Sequence, residues 1–406
     1  MVSATYDHIV AMVIVGVIFI GTVAALPFAT FQTVDEQQLR NTALNVFDSM
    51  LLNVGSPSNW GSWGNIADPN NNFDENNVTS FGLAYADPFS KYVLDPDKVQ
   101  RFAYGELSYE KVCALLNIQD EYGFRLVIQR PFKVEKSLNI TNTTVDFSVL
   151  VTRTEDGTPI PNAEVKVTVL LSAQYAPKKA NPNEPLPLNV SEYISTSIPP
   201  TSGTTDFMGR YEGTIDASAY LGNYFIESAI AIMQVTVADM STTIVAQNDY
   251  SYVKYINMTT YGDTVVLSIR GSELGDSESP NERRIVDAVA YDSEVLLDLL
   301  DDPTKIVWGE GYENASLTFP GIASLHPTVL LMVLEIKVNA QTLPNGTHVS
   351  GGKRWVLVAG PFSFGSSETI LDYGGDLAGK NVIAVMRRLV VVSDMTYVAS
   401  ISFWRE

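Results

Sequence analysis

Residues 145–171 read VDFSVLVTRTEDGTPIPNAEVKVTVLL, and their spacing decides the fold class. Val145, Phe147, Val149 and Val151 share one face of an extended strand, and Val165, Val167, Val169 and Leu171 share a face of the next. Between them Glu155-Asp156-Gly157-Thr158 has turn composition. Period-two alternation broken by turns at short intervals predicts an antiparallel β-sandwich, here over 139–247. Working outward, the proline-rich 176–188 cannot be a central strand. Thr205 to Tyr211 follows as a turn-containing stretch, and 224–238 reads as a further strand.

Towards the C-terminus, 248–381 carries strand-like runs at 265–269, 285–290, 329–338 and 355–358, separated by Pro, Gly and Asn. Residues 293–300 have the composition of a short helix. A hairpin is expected over 382–406, turning at Ser393-Asp394. In its second arm Tyr397, Ala399, Ile401 and Phe403 face one way, and Ser400 and Ser402 the other.

Towards the N-terminus, residues 57–75 are turn-rich, 108–116 starts as a capped short helix, and 124–128 reads as a strand. Leu39, Ala43, Val46, Phe47, Met50 and Leu51 recur at helical spacing after a capping box at Thr33 and Glu36. Before them, 9–26 reads IVAMVIVGVIFIGTVAAL, without a charge. Its apolar side chains, Ile9, Val10, Val13, Ile14, Val15, Val17, Ile18, Phe19, Ile20, Val23 and Leu26, surround the whole helix circumference. At about 1.5 Å per residue the run covers roughly 27 Å, close to the ~30 Å hydrocarbon core of a bilayer. The first basic residue is Arg40, so the basic n-region of a signal peptide is missing. The expectation is a membrane or filament-core helix that continues into an amphipathic stalk, 1–56 in all.

Lys+Arg 26 against Asp+Glu 46 leaves a net charge of −20, which excludes nucleic acid and anionic lipid headgroups as electrostatic partners. The single cysteine, Cys113, excludes an intrachain disulfide and a Cys-based zinc site. Asn-x-Ser/Thr sequons stand at Asn77, Asn139, Asn142, Asn189, Asn257, Asn314 and Asn345, none of them in the stalk, as a glycosylated exterior would have them.

The hydrophobic helix, the Leu51-Leu52…Gly55-x-Pro57-x-Asn59-Trp60 turn, Phe81-Gly82-Leu83-Ala84, Leu94-Asp95-x-Asp97-Lys98 and Phe124-x-Leu126-x-Ile128 resemble archaeal type IV pilin-like surface proteins. The ending Arg387-Arg388-Leu389-Val390…Met395-x-Tyr397 is similar to theirs. The resemblance covers about 1–135 and 380–406. It implies a subunit held by its N-terminal helix in a membrane or a filament core, with β-domains outside. The basic residues and Gly that precede this helix in processed members are not found in 1–8. Separately, Gly157-Thr158-Pro159-Ile160-Pro161-Asn162-Ala163-x-Val165 with Thr205-Asp206-x-x-Gly209-x-Tyr211 resembles Ig-like, carboxypeptidase-regulatory-like modules.

Chemistry-bearing patterns are sparse. His8 adjoins the apolar helix, and His326 and His348 sit in loops, so no triad or His-based metal set assembles. Gly346 to Lys353 misses the phosphate-loop spacing by one residue. Glu310 and Glu313 form the one carboxylate pair considered for glycosidase chemistry. Asp68, Asn70, Asn72 and Asp74 imitate the start of a calcium loop, but Phe73 stands where Gly is needed and Thr79 where Glu is needed. Trp60 and Trp63 are assigned to packing under that loop.

The expectation is therefore a mainly β protein with one long N-terminal α-helix. Its parts are an anchor and stalk helix (1–56), a pilin-like head segment (57–138), an Ig-like β-sandwich (139–247), a β-rich domain (248–381) and a C-terminal hairpin (382–406) that completes the head sheet. Function is expected to be structural: a cell-surface, non-catalytic subunit of a pilus-like filament, self-associating through its N-terminal helix, in contact with membrane and with an unassigned surface ligand. Neither metal nor cofactor is expected. The alternatives are a monomeric anchored Ig-like adhesin and, from another class, an anchored exoenzyme such as a glycosidase.

Overall fold

In the C-terminal strand every second side chain is apolar, and that face is buried. Strands are numbered here in chain order. Met395–Arg405 (β22) buries Met395, Tyr397, Ala399, Ile401 and Phe403. On one side β22 pairs with Ile383–Val392 (β21) across Ser393-Asp394, whose φ angles of 47° and 60° give the two-residue, left-handed turn that matches strand twist. On its other side lies Tyr122–Gln129 (β2), with Phe124 opposite Phe403, Leu126 opposite Ile401 and Ile128 opposite Ala399. Val93–Leu94 (β1) and Thr369–Gly374 (β20) complete a sheet of order β1-β21-β22-β2-β20. The head is thus built from both halves of the chain, with everything from 130 to 368 inserted between adjacent strands. Residues 369–374 belong to it, not to the preceding β-rich domain.

The computed structural model describes residues 36–62, 73–86, 91–141, 143–175, 193–221, 224–247, 256–269, 283–292, 295–298, 304–305, 314–322, 329–338, 341–342, 348–349, 352–360, 369–380 and 383–406. A helix over 36–52 (α1) contributes Leu39, Ala43, Val46, Phe47, Met50 and Leu51 to the head core, shared with the inner sheet face. Pro96–Ala103 (α2) and Tyr109–Leu115 (α3) add to it, each started by a capping side chain, Asp95 and Ser108.

The one long N-terminal helix expected for a membrane or a filament core is not found among the described residues. Among the described residues no helix is long and apolar enough to cross a membrane. α1 has a polar face, with Glu36, Gln37 and Arg40 exposed, and its apolar stripe is spent on the head. The expected transmembrane helix is corrected to that extent, and nothing among the described residues supports the pilin, filament or Ig-like features. Residues 9–26 themselves lie outside the described residues.

Next comes a two-sheet sandwich. One sheet is Phe132–Ile140 (β3), Thr144–Arg153 (β4) and Arg210–Asp216 (β7), in the order β3-β4-β7. The other is Glu164–Tyr175 (β5), Tyr193–Thr204 (β6), Tyr224–Val237 (β8) and Met240–Gln247 (β9), in the order β6-β5-β8-β9. Val145, Phe147, Val149 and Val151 meet Val165, Val167, Val169 and Leu171 in one core. This unit starts at Phe132, not at 139, because Phe132 is buried in that core. A one-turn helix, Ser218–Leu221 (α4), precedes β8.

The rest of the insertion is also β. Ile256–Tyr261 (β10), Thr264–Ile269 (β11) and Asn314–Thr318 (β15) form one sheet. Another is made by Arg283–Asp292 (β12), Val295–Asp298 (β13), Thr304–Lys305 (β14), Val329–Val338 (β16) and Gly352–Gly360 (β19). Gln341–Thr342 (β17) and His348–Val349 (β18) pair as a short ladder. The helix expected over 293–300 is instead β13, where Val295 and Leu297 extend a hairpin from β12. β8 is buried on both faces. Ala229, Ala231 and Met233 face the sandwich core, while Ile230 and Ile232 share a core with Val329 and Leu331 of β16. That middle position explains why β8 reads as a continuous apolar run and not an alternation.

Candidate functional site

Most of the residues singled out from sequence are not brought together. Ile9 to Leu26, His8, Trp63, Asp68 to Asn72, Asn142, Asn189, Glu310, Glu313, His326 and Asn345 lie outside the described residues, and His348 is in β18. Asn77 and Asn139 are exposed, the first in a short 3-10 turn and the second on β3. Asn257 is in β10 and Asn314 begins β15. Asp74 is a cap: its Oδ1 accepts from Asn76 N at 2.9 Å. The neighbouring Phe73 ring lies under the Arg101 guanidinium, 4.2 Å from ring centroid to Cζ. Among the described residues no group of three or more His, Cys, Asp or Glu is placed to hold a metal. Trp60 is buried and donates through Nε1 to Gly82 O at 3.1 Å.

Two clusters of polar side chains stand out. The first is on α2, whose Asp97, Lys98, Gln100 and Arg101 are all buried. Asp95 Oδ1 caps the helix, accepting from Asp97 N and Lys98 N. Lys98 Nζ donates to Val54 O (3.0 Å) and Ala84 O (2.9 Å) and pairs with Asp95 Oδ2 at 3.4 Å. Arg101 donates from Nε to Gly61 O (2.8 Å) and from Nη1 to Glu106 Oε2 (2.6 Å). On the far side, Gln100 Nε2 donates to Thr260 O and Gly262 N donates to Asp97 Oδ2, each at 2.8 Å. α2 therefore ties the loops around 54–61 to the turn between β10 and β11. Burial, with Asp95 nearby, pushes the Asp97 carboxyl up to about 7, and burial pulls the Lys98 ammonium down. Chemically the cluster is a latch, since nearly every group ends on a backbone atom.

The second cluster lines a cleft between the head and the sandwich, a cavity of about 410 Å³. Arg130 leaves the end of β2, Arg153 and Glu155 come from the end of β4, and Arg387 from β21. Arg387 Nη1 donates to Glu155 Oε1 at 2.8 Å, an exposed ion pair that crosses from head to sandwich. Arg130 is buried, 6% exposed. Thr154 Oγ1 is buried with no hydrogen-bond partner. The apolar walls are Pro131, Pro159, Ile160, Val237, Met240 and Val398. Close by, Lys136 Nζ donates to Val245 O, and burial, with Arg130 adding to it, pulls its ammonium down to about 7. Sequence reasoning passed over these arginines. They are scattered along the chain at 130, 153 and 387, and only the folded head-to-sandwich junction makes them neighbours.

No protein-family model and no curated protein matches the chain. Solved structures similar over part of it include the following three. Trypsin-activated alpha-2-macroglobulin from Escherichia coli is 12% identical with a TM-score of 0.18, over 56% of this chain and 18% of that one. MtrC from Shewanella baltica OS185 is 9% identical with a TM-score of 0.16, over 58% and 71%. The class 5 fimbriae chaperone CfaA is 9% identical with a TM-score of 0.15, over 54% and 98%. At such scores none of them carries an argument about fold or function.

Proposed function

We propose that this chain is a non-catalytic structural subunit displayed outside the cell, whose inserted β-layers present an acidic, glycosylated surface for adhesion. In this reading the apolar run 9–26 mediates self-association. The observation that carries it is the closure of the head by both halves of the chain, β2 lying between β20 and β22, so that both ends of the insertion are fixed in one sheet. Further support comes from the net charge of −20 and from the exposure of the sequons at Asn77 and Asn139.

The test uses the full chain in its own cells. Protease added to intact cells is expected to remove the portion beyond 130, and peptides containing Asn139 are expected to carry glycan mass. A protected, unmodified insertion overturns the reading. Sedimentation of the purified chain against a variant lacking 1–30 addresses assembly, with larger species expected only for the full chain.

A further inference from the structure

We infer that the cleft between head and sandwich is a binding site for a small organic acid, a carboxylate carried on an apolar body. Three arginines line it against one glutamate, in a chain whose acids outnumber its bases by 46 to 26. Like charges gathered at a partly enclosed site repel, and an anion between them relieves that cost. Guanidinium forks match the two oxygens of a carboxylate, which favours that group over a single-point anion. Pro131, Pro159, Val237, Met240 and Val398 offer no polar group, and they suit a hydrocarbon frame better than a second charge. A volume of about 410 Å³ lies within the range of small-molecule sites, and such sites favour domain junctions.

Glu155 sharpens the assignment. Its carboxylate already sits on Arg387 Nη1, and both side chains are largely exposed. It occupies part of the site as an internal stand-in, which a ligand carboxylate displaces. Removing the stand-in should therefore tighten binding, an effect that a merely structural ion pair would not give. This inference does not depend on where the chain is displayed, because binding is read on purified protein.

The experiment is calorimetric titration of the full chain with phenylacetate, with benzylammonium and sulfate as comparison probes. Phenylacetate is expected to bind at one saturable site, more tightly than sulfate, and benzylammonium not at all. Glu155→Gln should strengthen phenylacetate binding several-fold. Arg153→Gln and Arg387→Gln should each weaken it about tenfold or more, the loss of a charge-assisted bond. All three positions are exposed, so the variants should keep the parent thermal melt. Absence of saturable binding to both parent and Glu155→Gln overturns the proposal. So does equal binding of benzylammonium, or arginine variants that bind like the parent.

Discussion

β22 and β8 are both central strands, yet they bury themselves differently. β22 alternates, with Tyr397, Ala399, Ile401 and Phe403 inside and Ser400 and Ser402 partly exposed. β8 has Ala229, Ile230, Ala231, Ile232 and Met233 all buried in succession. The first sheet packs its core against helices on one face. The second lies between two other sheets. Alternation marks a sheet with one wet face, and its loss marks a middle layer.

The largest effect should come from charging the two strands. Ile232→Asp puts an unpaired carboxylate between layers and is expected to cost more than about 4 kcal/mol, enough to unfold the insertion. Ser400→Asp on the outer face of β22 is expected to cost less than about 1 kcal/mol. Denaturant unfolding of both variants decides it, and similar losses would erase the distinction.

A subtler pair separates the two faces of β8. Ile232→Ala and Met233→Ala should each cost about 2–4 kcal/mol by leaving a cavity. Hydrogen exchange should then accelerate in β16 for the first and in β4 for the second. The same strands loosening in both variants would mean that β8 does not divide two cores.

Carboxylates extend the comparison to the polar groups. Asp97 is buried, and burial pushes its carboxyl up to about 7 in the folded chain, above the ordinary 3.8. Its contribution to stability is present in full below 3.8 and is lost as pH rises through about 7, so ionised Asp97 weakens the fold at pH 8. Asp97→Asn keeps an oxygen for Gly262 N and should raise stability at pH 8 by about 2 kcal/mol, flattening the pH profile between 4 and 8. Thermal melts across that range check it. Asp372 shifts the other way: its bidentate bond to Arg125, 2.7 and 2.6 Å between β2 and β20, holds the carboxyl below the usual range. That stability is present at neutral pH and is lost as acid protonates the carboxylate. Both partners are partly exposed, so Asp372→Asn should cost only about 0.2–1 kcal/mol, less in high salt. A pH-independent melt for Asp97→Asn and parent alike would show that Asp97 is solvated.

What could be read from sequence follows the same division. The faces of β4, β5 and β22, the turn at Ser393-Asp394 and the buried stripe of α1 were legible, because each repeats a local period against one core. α2 was not recognised as a helix. Its buried side chains are Asp97, Lys98, Gln100 and Arg101, and what makes them buried is a set of carbonyls and an amide as distant as Thr260 and Gly262. The helix expected over 293–300 failed because pairing with β12 overrode local composition. The sandwich boundary moved to Phe132 because Pro131 marks a break between β2 and β3 but does not say that the next strand joins another sheet. The arginine cleft has no sequence period at all.

Tyr122 sits opposite Arg405, and that pairing sets an order of events during synthesis. The ribosome releases β2 long before its partner exists. At about 5–20 residues per second, β2 and the apolar stripe of α1 wait roughly 15–55 s for β22 to emerge. The inserted layers can condense in that interval, but the head cannot. Until the last strand arrives, the nascent chain exposes one sheet edge and one greasy helix face, and any factor that guards it in the cell must act there.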